Sequence, residues 1–200
     1  MLQQLITQAG SCSSGNASSC TEKGSDIVFV LDESGSVSDQ QFKQLIESCY
    51  QMVSMVSIGT GAQEFRFGFV LFSHTARLIF NVSAYENKDV LLKKIKEIVR
   101  GNGNTDIMKG MLVALDEGYE QGSGRSRTMI VMTDGDTPYT DEDFTKLQKS
   151  LSRNSVTAYG VGIGNGVKNE TLTKLVGSEA RVRNIDKYDE LFTAVRRIVC

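Results

Sequence analysis

DIVFVL (residues 26–31), followed at once by DESGSVS (32–38), is the stretch that decides the fold. An unbroken apolar run of strand length has no face to offer water, so it reads as a strand covered on both sides. The polar turn after it leads straight into a helix. Ser38 and Gln41 have the spacing of a capping box, and Phe42, Leu45, Ile46, Cys49, Val53 and Val56 then recur at helical period. A buried strand, a tight turn rich in Asp, Ser and Gly, and an amphipathic helix are the opening unit of an α/β sheet.

Working outward, the alternation continues. FRFGFVLF (65–72) reads as a strand and, after SHTA, RLIF (77–80) as a short second one, near enough for a hairpin. KDVLLKKIKEIV (88–99) predicts a helix that stops at Arg100-Gly101. A further helix from Thr105 carries Ile107, Met111, Leu112, Leu115 and Tyr119. TMIVMT (128–133) is another apolar strand, and Thr140 opens a helix whose first turn holds Asp141, Glu142 and Asp143, where the dipole favours acids. VTAYGVGI (156–163) is a strand, 169–176 a short helix and RVRNI (181–185) a last strand. Residues 186–199 close the chain as a helix, with Tyr188, Leu191, Phe192, Val195 and Ile198 on one face. The expectation is an α/β fold: a doubly wound, mostly parallel six-stranded sheet with helices on both faces. The 77–80 strand is its antiparallel edge. The Ser/Gly/Asn-rich stretch 11–25 has little to bury, so residues 1–25 read as a flexible lead-in and 26–200 as one domain.

Composition narrows the function classes. The chain has 200 residues, 40% hydrophobic and 23% charged, which suits one globular domain and neither disorder nor coiled coil. A net charge of −2, from 22 basic and 24 acidic side chains, argues against a general nucleic-acid binder. No run approaches the roughly 18 apolar residues of a membrane span, so no membrane insertion is expected. Met1–Gly10 lacks the cationic start of a signal peptide, and a secreted form is expected to be a segment of a longer chain. Cysteines stand at 12, 20, 49 and 200 with no C-x-x-C pair, and sequons at Asn16, Asn81 and Asn169 are candidate N-glycosylation sites.

In an open α/β sheet, ligands bind beyond the carboxyl ends of the strands, where strand order reverses. Three segments converge there: Asp32-Glu33-Ser34-Gly35-Ser36 after the first strand, GNGNT (101–105) entering a helix, and Asp134-Gly135-Asp136 after the fourth strand. Together they offer two carboxylates and three hydroxyls, with glycines that let the backbone turn tightly. Such an oxygen-only set suits a hard divalent ion. Two carboxylates leave that ion under-neutralised and open to an acidic group from outside, which points to binding.

D-x-S-x-S after the first strand, a Thr before the mid-chain helix and T-D-G after the fourth strand together resemble the metal-ion-dependent adhesion site of the von Willebrand factor A domains. The resemblance runs from about Asp26 to Val199. It implies a Rossmann-like sheet in which Asp32, Ser34, Ser36, Thr105 and Asp134 hold Mg2+, with Mn2+ or Ca2+ as alternatives, some directly and some through water. It implies an extracellular module whose partner is a matrix or cell-surface protein presenting Asp or Glu, a glycan being the alternative ligand. In this family the last helix can slide when the ligand binds; here it would be 187–199. Many extracellular members bridge a Cys before the first strand to one after the last helix, which fits Cys20 and Cys200. A bridge closing a loop of about 180 residues stabilises by roughly 5 kcal/mol at most in the chain-entropy model, and it would narrow the helix's travel. Cys49 then reads as a buried core thiol. Cys12 stays open: it bridges another chain, pairs with Cys20, or is idle.

Competing readings are weaker. Asp106, Asp136 and His74 are expected at the ligand rim, and Glu33, at the variable position of D-x-S-x-S, is expected to point away. A serine-type triad would have to use His74, the only histidine, but no G-x-S-x-G elbow surrounds Ser34 or Ser36. GVGIGNG (160–166) fails G-x-G-x-x-G at Asn165 and Val167. An aspartyl-phosphate enzyme would want a carboxylate two residues after Asp32, where Ser34 stands. The chain is therefore expected not to be an enzyme. The alternative is a structural matrix-assembly module whose ion only rigidifies the loops, and a metal-dependent hydrolase is the outsider.

Overall fold

β1 (Ser25–Asp32) is buried along its whole length. Its side chains divide between two cores: Ile27, Phe29 and Leu31 enter one, Val28 and Val30 the other. This two-sided burial is why the run shows no polar alternation. The computed structural model describes residues 24–200. Around β1 stand β2 (Arg66–Phe72), β3 (Ala76–Phe80), β4 (Ser126–Thr133), β5 (Val156–Ile163) and β6 (Val182–Ile185), in the order β3-β2-β1-β4-β5-β6. β3 runs antiparallel to β2 and every other pairing is parallel.

Among the described residues six α-helices cover the sheet: α1 (Asp39–Ser54), α2 (Lys88–Lys96), α3 (Ile107–Glu117), α4 (Asp141–Arg153), α5 (Asn169–Val176) and α6 (Leu191–Val199). α1, α2 and α6 close the core that contains Phe29, whose ring lies 5.7 Å from Phe67 and 5.2 Å from Phe69. α3, α4 and α5 close the opposite core. The expected capping box at Ser38 forms, and a second one forms at Thr140: the Ser38 and Thr140 hydroxyls accept the amides of Gln41 and Asp143, whose side chains reach back to the cap amides. At the amino ends of the strands, Asp26 is buried and takes two bonds from Arg66 and one from Arg125.

The helix boundaries differ from expectation in three places. α2 ends at Lys96 rather than 99, because Val99 is out in solvent with its carbonyl taken by Arg77 of β3. α3 starts at Ile107, capped by Asp106, and Leu112 is 38% exposed rather than part of the buried stripe. α6 proper starts at Leu191 after a single 3-10 turn, Tyr188–Glu190. Its buried face uses Ala194 and Val199, while Phe192 and Ile198 are only half-buried.

β1 is the strand from which the chain leaves in both directions, toward β2 and β3 on one side and β4 to β6 on the other. Connections diverge at such a point and leave a crevice at the carboxyl ends of β1 and β4. The parallel register pairs Leu31 with Met132, so the last residues of the two strands, Asp32 and Thr133, come out side by side.

Candidate metal centre

Asp32 is fully buried, and its carboxylate is held at both oxygens. Oδ1 accepts the Ser34 amide at 2.8 Å and Oδ2 accepts the Thr133 hydroxyl at 2.6 Å. Ser36 Oγ donates to Asp134 Oδ1 at 2.7 Å, and the Ser34 and Ser36 hydroxyls lie 3.0 Å apart. With the Ser36 proton committed to Asp134, Ser34 must be the donor in that pair. A hydroxyl chain therefore runs Ser34 to Ser36 to Asp134 and joins the ends of β1 and β4. The other Asp134 oxygen accepts the Tyr188 hydroxyl at 3.1 Å.

Thr105 arrives on the loop between α2 and α3. The Gly35 amide bonds the Gly103 carbonyl at 2.8 Å, and the Thr105 carbonyl accepts the Thr137 hydroxyl at 2.6 Å. Its own hydroxyl lies against Gly135: a Cβ on Gly135 would stand 2.9 Å from Thr105 Oγ1. Glycine at 135 is what lets the two loops close. The structure thus brings together all five residues expected to hold an ion.

Burial raises the Asp32 carboxyl above its ordinary value, and the nearby Asp134 charge adds to this, while donors from Ser34 and Thr133 pull the other way. Burial and the two carboxylates also push the Tyr188 phenol up, so it remains a neutral donor. Neither Asp32 nor Asp134 has an ion-pair partner among the described residues. Two neighbouring carboxylates, one of them desolvated, with three hydroxyls and no counter-charge, fit a hard divalent cation. Among the described residues no group of three or more His, Cys, Asp or Glu side chains could hold a metal. Any cation here would depend on hydroxyls as well.

The residues expected at the rim have other contacts. Asp106 caps α3, accepts the Tyr139 hydroxyl and pairs with Lys109. Asp136 accepts the Thr137 amide and lies 3.7 Å from Lys168 Nζ. His74 packs over Gly103, where any Cβ would run into its ring. Glu33 turns from the cluster, yet it is buried rather than free in solvent. Cys49 is buried and free, and Cys200 is disulfide-bonded. Cys20, Cys12 and Asn16 lie outside the described residues. The Asn81 carboxamide accepts from the Ser83 amide and hydroxyl, and Asn169 Oδ1 accepts from Asn184. Sequence reasoning missed Thr133 and Tyr188 as partners of the two carboxylates. Thr133 stands inside T-D-G and was open to notice, whereas Tyr188 reads only as one more apolar position.

A doubly wound sheet with an acid and hydroxyl cluster in its switch-point crevice defines a class of domain. The model of the von Willebrand factor type A domain matches residues 26–197, and the chain belongs to that family. It is 25% identical over 183 residues to the human (Homo sapiens) collagen alpha-5(VI) chain, covering 88% of this chain and 7% of that one. To the transmembrane cell adhesion receptor mua-3 of Caenorhabditis elegans it is 26% identical over 188 residues, 90% of this chain and 5% of that one. This chain thus spans less than a tenth of the length of these two relatives. Among solved structures, proximal thread matrix protein 1 from the mussel byssus, with a zinc-occupied MIDAS motif, superposes with a TM-score of 0.77. The identity is 22%, and the match covers 88% of this chain and 47% of that one, which supports the shared fold. The sequence relatives are matrix and cell-surface proteins. No helix among the described residues is long and apolar enough to cross a membrane.

Proposed function

We propose that this chain is an extracellular, non-enzymatic adhesion module that binds a protein partner through a divalent cation. Asp32, Ser34, Ser36, Thr105 and Asp134 would hold the cation, with Asp106, Asp136 and His74 at the rim. When bound, the cation supplies a Lewis-acidic centre whose remaining coordination an Asp or Glu of a matrix or cell-surface partner completes; a glycan is the alternative ligand. Mg2+ is the favoured ion, since a small set of carboxylate and hydroxyl ligands leaves room for the waters it retains, and Mn2+ or Ca2+ are the alternatives. The supporting observation is the Ser34–Ser36–Asp134 hydroxyl chain beside buried, ion-pair-free Asp32. The Cys200 bridge is proposed to run to Cys20, and Asn81 and Asn169 are proposed to carry glycans.

The test is capture of matrix and cell-surface proteins by the immobilised chain in Mg2+ or in chelator, with Asp32→Ala and Thr105→Ala alongside. Capture by the unmodified chain in Mg2+ alone is the expected result. Undiminished capture in chelator overturns the proposal in favour of a matrix-assembly module with a structural ion. Turnover of a generic phosphoester, lost in the same variants, would instead establish a hydrolase.

A further inference from the structure

We infer that Glu33 is a positioning residue for the cation site, acting by latching the loop that delivers Thr105. The inference rests on the cation-binding reading above. Glu33 stands between two proposed ligands, Asp32 and Ser34, but its carboxylate takes no part in their hydrogen bonds. It accepts Arg77 Nη2 at 2.8 Å on Oε2 and Arg77 Nε at 3.3 Å on Oε1, and the Gly101 amide at 2.5 Å on Oε2. Arg77 Nη2 also donates to the Val99 carbonyl at 2.8 Å. With the Gly35 amide on the Gly103 carbonyl, the segment 99–103 is tied to the turn that carries the ligands at two points, and at a third through Arg77 of β3. Thr105 follows two residues later.

The contact leaves no slack. A Cβ on Gly101 would stand 2.9 Å from the Glu33 carboxyl carbon and from both its oxygens, so only glycine admits the backbone this close. As a source of stability alone the pair is a poor device. The Glu33 side chain is 4% exposed and Arg77 is 49% exposed, so one charge is desolvated while its partner stays half in water. What the pair does achieve is to join three segments distant in sequence: the end of β1, the edge strand β3 and the α2–α3 loop. Arg77 also neutralises Glu33, so a carboxylate next to Asp32 adds no third charge to the cation set. In metal sites, groups that orient the ligands without touching the ion typically change its affinity 10–100-fold when removed.

The test is calorimetric titration of the chain with Mg2+ and with Mn2+, paired with hydrogen exchange of residues 101–105 in chelator. Glu33→Gln is expected to weaken cation affinity about 10–100-fold and to speed exchange of those amides before any metal is added. Arg77→Gln, at a half-exposed position, should act in the same direction and carries the test should Glu33→Gln not fold. The double variant should lose no more than the worse single one, since both substitutions cut the same latch. Glu120→Gln removes an ion pair to Arg66 at the far end of the sheet, and its cation affinity should be unchanged. Affinity equal to the unmodified chain in both Glu33→Gln and Arg77→Gln, with only thermal stability reduced, overturns the inference. An unmodified chain that gives no titration with either ion overturns the cation reading itself, and this inference with it.

Discussion

Asp32→Asn separates stability from cation binding, because the substitution removes a buried charge and leaves its hydrogen-bond geometry nearly intact. The Asn oxygen accepts the Ser34 amide as Oδ1 does now. The Asn nitrogen takes the place of Oδ2, and the Thr133 hydroxyl, which now donates to Oδ2, turns to accept from it. Burial is the first cause of the raised Asp32 value, so the metal-free protein bears a cost for ionising that residue. The sign follows from linkage. Where the folded-state value lies above the unfolded one, the folded state binds more protons, and stability falls as pH rises through the window above the ordinary 3.8. In chelator at pH 7, Asp32→Asn should therefore be at least as stable as the unmodified chain, and the difference should vanish below that window. With Mg2+ at a hundred times its Kd, the unmodified chain gains about 2.7 kcal/mol. For a domain of this size that corresponds to about 5–11 °C in Tm, and the variant should gain nothing. Thermal unfolding of both proteins followed by circular dichroism, in chelator and in Mg2+ at pH 7 and pH 3, gives the comparison under all four conditions. A Mg2+ shift in Asp32→Asn equal to that of the unmodified chain, or a large loss in chelator at pH 7, would refute the reasoning.

Three further outcomes are expected. Gly135→Ala should weaken Mg2+ binding about tenfold by pressing on the stiff, β-branched Thr105, while Tm in chelator changes little, because Gly135 is not among the positive-φ glycines; calorimetry and unfolding decide. Phe29→Ala, which empties the centre of the Phe29–Phe67–Phe69 group, should lower stability by about 3–5 kcal/mol in denaturant titration, with the same core lost at any metal concentration. Burial pushes the Cys49 thiol up, so peptide mapping should find Cys49 alkylated only in denaturant; modification of Cys49 in the native protein contradicts the buried placement.

Local signals carried most of the fold. The Ser38 and Thr140 caps mark their helices, β5 and α5 fall on the stretches the patterning marks, and strand–helix alternation alone places the crevice that holds Asp32 and Asp134. Sequence falls short where a distant residue overrides a local period. The apolar spacing of 88–99 continues past Lys96, but Arg77 of β3 takes the Val99 carbonyl and the helix stops. The same arginine explains Glu33, whose burial depends on a partner 44 residues away. Tyr188 has the period of a core residue and is buried like one, and nothing in its neighbours discloses that its hydroxyl reaches Asp134.

That last contact makes the molecule its own optical gauge. The chain has no tryptophan, so its ultraviolet emission comes from six tyrosines. Tyr188 is tied by its phenol to one of the carboxylates proposed to hold the cation. Hydrogen bonding to a carboxylate dims a phenol's emission. A cation that draws Asp134 toward itself would loosen that bond and brighten Tyr188, so occupancy could be followed in the unlabelled protein, with Tyr188→Phe as the dark control.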